Sequence, residues 1–288
     1  MGQKSRIEWT DATWNPTTGC TKVSDGCDHC YAHKLAHERL ALLYSRQLPV
    51  LPTEENIADP FSIRLWPNRL KQPASWRKPR IVFVNSMSDL FHADVPDAFV
   101  RQVFEVMLRV DRHIYQVLTK RPSRAARFFR LNQDLFPSGT IPRHIWMGTS
   151  VENQGVAHRV DHLRQVPAEI RFLSCEPLLG TLEIDLTGIH WVIAGGESGA
   201  EFRPMEEAWV RGLRDQCRES GTPFFFKQWG GRRAKAGGRL LEGRTWDEMP
   251  MPGRVPENVA PPASVSVPAE NRRRTRARPV HAMVPAAA

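Results

Sequence analysis

No stretch of this chain stays apolar for the roughly twenty residues that a bilayer-spanning helix needs. The opening "MGQKSR" is not followed by the apolar run of an export signal, and Arg6 stands where an N-myristoylation signal wants Ser or Thr. Secretion, membrane insertion and lipid anchoring are therefore not expected, and the expected compartment is the cytoplasm. Cysteine is scarce, five in 288 residues, and in a reducing compartment clustered thiols point to metal binding or catalysis before disulfides. No repeat of the solenoid kind is present. What the chain has in excess is positive charge: 40 Lys and Arg against 31 Asp and Glu, a net +9. Six Arg and two Glu from residue 250 onward supply +4 of it, leaving +5 for the rest. Such a balance favours polyanion partners without establishing one.

Three of the five cysteines fall within eleven residues, in "TGCTKVSDGCDHCYAHKLAHERL". Cys20, Cys27 and Cys30 read C-x6-C-x2-C and lead into a helical pattern. A closed tetrahedral metal site needs four ligands, whereas a [4Fe–4S] cluster on three thiolates keeps one iron open to an outside ligand. Both readings stand at this point. His29, His33 and His37 step by four along the emerging helix, and any of them, or Cys175, is a candidate fourth ligand to zinc or to a closed cluster.

Apolar, β-rich runs recur at 80–89, 114–122, 145–153, 171–180, 190–199 and 223–231, and helical patterns separate several of them. Phe99, Val103, Phe104, Met107 and Val110 mark one helix behind Asp97 as N-cap, and Trp209, Val210, Leu213 and Cys217 mark another that stops at Gly221. With a first strand just before Cys20, the alternation predicts an α/β fold of about seven parallel strands, a complete or partial (β/α) barrel over residues 1–249. Residues 250–288, rich in Pro, Ala and Arg, are expected to be a disordered basic tail.

Ligands of parallel α/β folds bind at the carboxyl ends of the strands, and here those ends are polar. They carry Asn85, Ser86, Ser88 and Asp89; Thr119, Lys120 and Arg121; Thr149, Ser150, Glu152 and Asn153; Ser174, Cys175 and Glu176; Glu197 and Ser198; and Lys227 with Gln228. Six such ends in succession suggest one lined pocket facing the three-cysteine loop. Cys175 has two readings, a small buried hydrophobe or a thiol facing that pocket as hydrogen-atom donor or redox group.

The three-cysteine stretch resembles the radical S-adenosylmethionine superfamily, whose cysteine loop follows the first strand of a (β/α) barrel, although that superfamily's usual spacing is C-x3-C-x2-C. The resemblance implies a [4Fe–4S] cluster on Cys20, Cys27 and Cys30, S-adenosylmethionine chelated at the open iron, an external reductant, and cleavage to a 5′-deoxyadenosyl radical. Glu197 in "GGE" resembles the motif that holds the ammonium of S-adenosylmethionine, with Asp89 as its rival. Asn85, Ser88, Thr149, Ser150, Glu152 and Asn153 are the other candidate contacts to that cofactor. More closely, "IEWTDATWNPTTGCTKVSDGCDHCYA", "NSMSDLFHADVP", "VLTKRP", "GTSVEN", "SCEPLLG", "AGGESG" and "FFFKQWG" are similar to a bacterial and phage family of unknown function noted for a three-cysteine motif.

Finally, "RLWPNRLKQPASWRKPR" at 64–80 carries six Lys or Arg, no acid, and Trp66 and Trp76. Cations beside flat rings are the ingredients of single-strand or flipped-base binding, and equally of a solvated loop anchored by its tryptophans. The expectation is an iron–sulfur enzyme acting on a nucleic-acid base, with the 64–80 segment and the tail as nucleic-acid contacts. Its rival is a non-enzymatic, zinc-stapled nucleic-acid-binding protein.

Overall fold

The computed structural model describes residue 5, residues 7–233 and residues 235–250. Seven strands form one parallel sheet in sequential order: β1 (Ala12–Trp14), β2 (Ile81–Val84), β3 (Ile114–Thr119), β4 (Ile145–Ser150), β5 (Arg171–Cys175), β6 (Trp191–Gly195) and β7 (Phe224–Gln228). Among the described residues β1 and β7 do not pair, so the (β/α) barrel is a half-barrel. Besides short helical turns such as Glu54–Ala58 and Gln72–Ser75, the helices are α1 (Tyr31–Leu35, running on through a π turn at Ala36–Leu40 into Ala41–Tyr44), α2 (Asp97–Arg109), α3 (Pro122–Leu131), α4 (Arg159–Arg164) and α5 (Glu207–Ser220). Asp97 opens α2 from inside its first turn, and Pro96 holds the cap position. At the other end of the chain α5 stops at Gly221, whose φ of 68° lies in the left-handed region glycine tolerates. No helix among the described residues is long and apolar enough to cross a membrane. The expected tail, apart from residue 250, lies outside the described residues.

Strand alternation sorts the core into two faces. Val82, Val84, Val117, Met147, Leu173, Val192 and Phe226 point to the helices, where Val103, Phe104, Phe128, Leu213 and their neighbours cover them. The opposite parity fills the concave side with Trp9, Phe83, Trp146, Phe172, Trp191, Ile193 and Phe225. These rings meet mostly edge to face, Trp9 against Phe83 at 4.8 Å and Trp146 against Trp191 at 5.8 Å. They fill the concave side of the half-barrel below the carboxyl ends of the strands.

The 64–80 segment corrects the expectation of base-stacking tryptophans. Trp66 is buried, its indole N–H donating to Thr18 Oγ1 at 2.9 Å and its ring under the Arg69 guanidinium at 3.9 Å. Trp76 is buried too, with its ring against His113. Arg64, 1% exposed, donates to the carbonyls of Gln47, Asn56, Asp59 and Ser62. Arg64–Leu65 also pairs antiparallel with Thr17–Thr18, tying the segment to the cysteine loop. Rings already inside the protein have no face left for a base.

Trp66→Ala and Trp76→Ala are therefore expected to cost roughly 3–5 kcal/mol each in a urea melt, with nucleic-acid affinity unchanged in the folded fraction. Unaltered melts with lost binding would restore the stacking role.

Candidate functional site

The parity that turns Phe83, Trp146, Phe172, Ile193 and Phe225 inward continues past the strand ends. Two or more residues on, the same face presents Asn85, Ser150 and Glu152, Ser174 and Glu176, Glu197 and Lys227; on β3, Ile114 and Leu118 lead likewise to Lys120. These side chains line the mouth of the half-barrel. Thr149 and Cys175 have the other parity. Thr149 lies on the helix side with Met147 and donates to the Thr119 carbonyl at 2.8 Å. Cys175 is fully buried in the helix-side core near Cys217, and burial drives its thiol pKa far up. Its thiol points away from the mouth and from the three-cysteine loop.

The loop from β1 crosses over this mouth and is fastened to the segments that follow β2, β3, β4 and β6. Arg121 donates to Asp89 at 2.9 Å, to Thr21 at 3.1 Å, and lies 3.5 Å from Cys20 Sγ. Ser24 donates to Glu152 at 3.0 Å and Asn153 to Asp25 at 3.1 Å. His29 meets Glu197 at 3.0 Å, while Arg203 bonds Glu197 at 2.8 Å and reaches the Asp25 carbonyl and Asp28. Thr21 pairs with His92 at 2.7 Å.

The cofactor candidates divide by what their polar atoms already do. Asp89 is saturated, accepting from Arg121, Thr119, and the backbone N–H groups of Lys120 and Phe91. Glu152, with no exposed surface, accepts from Lys120, Arg159 and Ser24. Glu197 is held by Arg203 and His29. Burial works against its charge, but the bonds from Arg203 and His29 win and bring its pKa down to about 2. Ser88 bonds Thr17, and Asn85, at φ 61°, donates to Thr17 while its Oδ1 is buried with no partner among the described residues. The residues that composition and motif reading did not single out are Arg159, Arg203 and Tyr31, whereas Glu176 and Lys227, named among the polar strand ends, meet as an ion pair at 2.8 Å.

The thiols occupy an electrostatically mixed wall. Burial, reinforced by Asp89, pushes Cys20 up to about 11 against the opposing pull of Arg121. Lys120 is buried among Cys27, Cys30 and Asp89, and burial lowers its pKa although those groups favour its charge. Arg159 also feels Cys27. Among the described residues, no group of three or more His, Cys, Asp or Glu side chains is arranged to hold a single metal ion. The histidines considered as fourth ligands have other partners: His29 bonds Glu197, His33 stacks on His37 at 4.2 Å, and His37 meets Asp59 at 3.2 Å.

Residues 4–250 match the family described as "Protein of unknown function (DUF5131)". The chain belongs to that family. Searches of curated proteins and of solved structures returned no match. The membership covers the whole half-barrel and assigns no chemistry to it.

The Glu197 latch carries a pH signature. Its pKa, 4.5 unperturbed and about 2 when folded, contributes stability that is complete above 4.5 and lost as pH falls toward 2. Glu197→Gln should lower the melting temperature at neutral pH and flatten the acid limb between those values. Parallel acid limbs for wild type and variant would show that the latch does not hold the loop.

Proposed function

We propose that this DUF5131 protein is an iron–sulfur enzyme of the radical S-adenosylmethionine type. The observation that carries this reading is the position of the three-cysteine loop over the polar mouth of a half-barrel, with Cys20 against Arg121 and Lys120 within electrostatic reach of Cys27 and Cys30. Three thiols, with the neighbouring histidines His29 and His37 engaged by Glu197 and Asp59, suit a cluster that keeps one coordination position open. The donor chemistry fits, because Lys120, Arg121 and Arg159 are placed to offset the charge of thiolates.

In this reading Cys20, Cys27 and Cys30 hold a [4Fe–4S] cluster, which when bound supplies one electron for cleavage of the S-adenosylmethionine sulfonium. The remaining work falls to the chain. Arg121, Glu152 and Glu197 fasten the loop that carries the thiols. Asp89 and Glu197, both bonded to arginine, act as supports of the loop and not as ammonium contacts. The aromatic plug below the mouth keeps bulk water from the underside of the ligand space. An electron donor is required from outside the chain, and a cytoplasmic setting suits its five free thiols. For a nucleic-acid partner the support is reduced to exposed basic side chains such as Lys71, Arg77 and Lys78, since the tryptophans are committed internally.

Protein purified without oxygen, or reconstituted with iron and sulfide, should be brown, with a broad absorption near ~400 nm that dithionite bleaches. Replacing Cys20, Cys27 or Cys30 by Ala should remove the bound iron, while Cys175→Ala should leave it in place. Stoichiometric zinc with no uptake of iron would favour the zinc-stapled alternative.

A second expected outcome concerns turnover. The reduced protein should convert S-adenosylmethionine to 5′-deoxyadenosine and methionine, measured by chromatography. If iron loads but neither 5′-deoxyadenosine nor a changed EPR signal follows addition of S-adenosylmethionine, the cluster is structural.

A further inference from the structure

The three thiols of the cysteine loop are not equivalent. Among the described residues, Cys20 is the one of the three whose sulfur accepts a hydrogen bond from a side chain, with Arg121 Nη1 at 3.5 Å from its Sγ. The donor is firmly held. Arg121 follows β3 and shares Nη1 with Asp89 Oδ2 at 2.9 Å, while Nη2 donates to both the carbonyl and Oγ1 of Thr21 at 3.1 Å. Asp89 is fixed in turn by Thr119 Oγ1 at 2.7 Å and by the backbone N–H groups of Lys120 and Phe91. Spanning a sulfur, a carboxylate and two loop oxygens takes the planar fork of a guanidinium, which the point charge of a lysine cannot supply.

Two opposed charges thus stand beside one sulfur. Little water screens them, since the Arg121 and Asp89 side chains are 14% and 7% exposed. Guanidinium and carboxylate act on the charge of that sulfur in opposite senses. A metal group on the thiolates that takes one electron from an outside reductant spreads part of the added negative charge onto its sulfur ligands. A hydrogen bond to a ligand sulfur favours the reduced form, and a carboxylate close by disfavours it. As a pair Arg121 and Asp89 carry no net charge, so the N–H···S bond is the part of the arginine's influence that Asp89 does not offset.

We infer that Arg121 is a positioning residue that makes the iron–sulfur group easier to reduce through its hydrogen bond to the Cys20 sulfur, and that Asp89 limits this effect while holding the guanidinium in place. The inference rests on the iron–sulfur reading proposed above and adds to it the side chains that set the potential.

The test uses full-length protein loaded anaerobically with iron and sulfide. Midpoint potentials are read by spectroelectrochemistry at the absorption near ~400 nm, with iron content measured beside them. Arg121→Met should lower the equilibrium constant for one-electron reduction about 10-fold, as expected on loss of a hydrogen bond to a charged group. That moves the potential by about 59 mV to the negative. Asp89→Asn should move it the other way. The double variant should stay more negative than wild type, because the net charge of the pair is unchanged and only the hydrogen bond is lost. A purely structural pair would loosen the loop in either variant and shift both potentials in one direction. Shifts of the same sign, or an Arg121→Met potential equal to that of wild type, would overturn the inference. If Arg121→Met fails to fold or to load, Asp89→Asn decides: a positive shift upholds the inference and no shift overturns it. Iron uptake with equal potentials throughout removes this inference alone, whereas a wild type that takes up no iron overturns the iron–sulfur reading and this inference with it.

Discussion

The arrangement of the mouth depends on one carboxylate that never sees solvent. Glu152 sits at the end of β4 and accepts from Lys120 beyond β3, from Arg159 on α4 and from Ser24 of the cysteine loop. A lone buried anion would be prohibitively costly, and its donors are what make it tolerable. Removing Lys120 or Arg159 leaves the buried carboxylate with one cation where it now has two. The cysteine loop approaches so closely that a Cβ on Gly26 would lie 2.3 Å from Glu152 Cγ. A bare residue at that point is a condition of the loop lying where it does, and the positions of Cys27 and Cys30 follow from it.

The site and the core are products of the same alternation. Strands β2 to β7 place apolar side chains low on the concave face and lead to polar ones at their carboxyl ends. The plug supplies dry packing at the bottom, and the mouth inherits fixed directions for its charged groups. Those charges are then consumed in pairs, Asp89 with Arg121, Glu152 with Arg159, Glu197 with Arg203 and Glu176 with Lys227. The result is a rigid rim in which few polar atoms are left to spare.

The fold was legible because its signal is repetitive: six apolar runs with polar ends, plus a first strand, leave little besides a parallel sheet. That the barrel stays open was not legible, since strand periodicity is the same in open and closed sheets. At the site, the cysteine loop and Glu152 were visible as residue types. Their partners Arg159 and Arg203 were not, because an arginine reaching across from another element looks in sequence like any surface arginine. Cys175 was misleading for a simpler reason: it ends a strand beside polar residues, but one step of parity turns its thiol into the core. Trp66 and Trp76 misled likewise, because an anchor and a stacking platform have the same composition, and only burial tells them apart.

An unclosed sheet leaves β7 as an edge, and the chain itself lies along part of it. Phe226 N–H donates to the Trp246 carbonyl, Phe225 bridges Asp247, Glu248 N–H donates to the Phe224 carbonyl, and the Glu248 carboxylate accepts from Phe224 N–H. Those backbone groups would otherwise be a template for the strand of a neighbouring molecule. The short run 246–248 thus acts as a molecular selvedge, occupying edge groups of the open half-barrel through which a neighbouring molecule could otherwise extend the sheet.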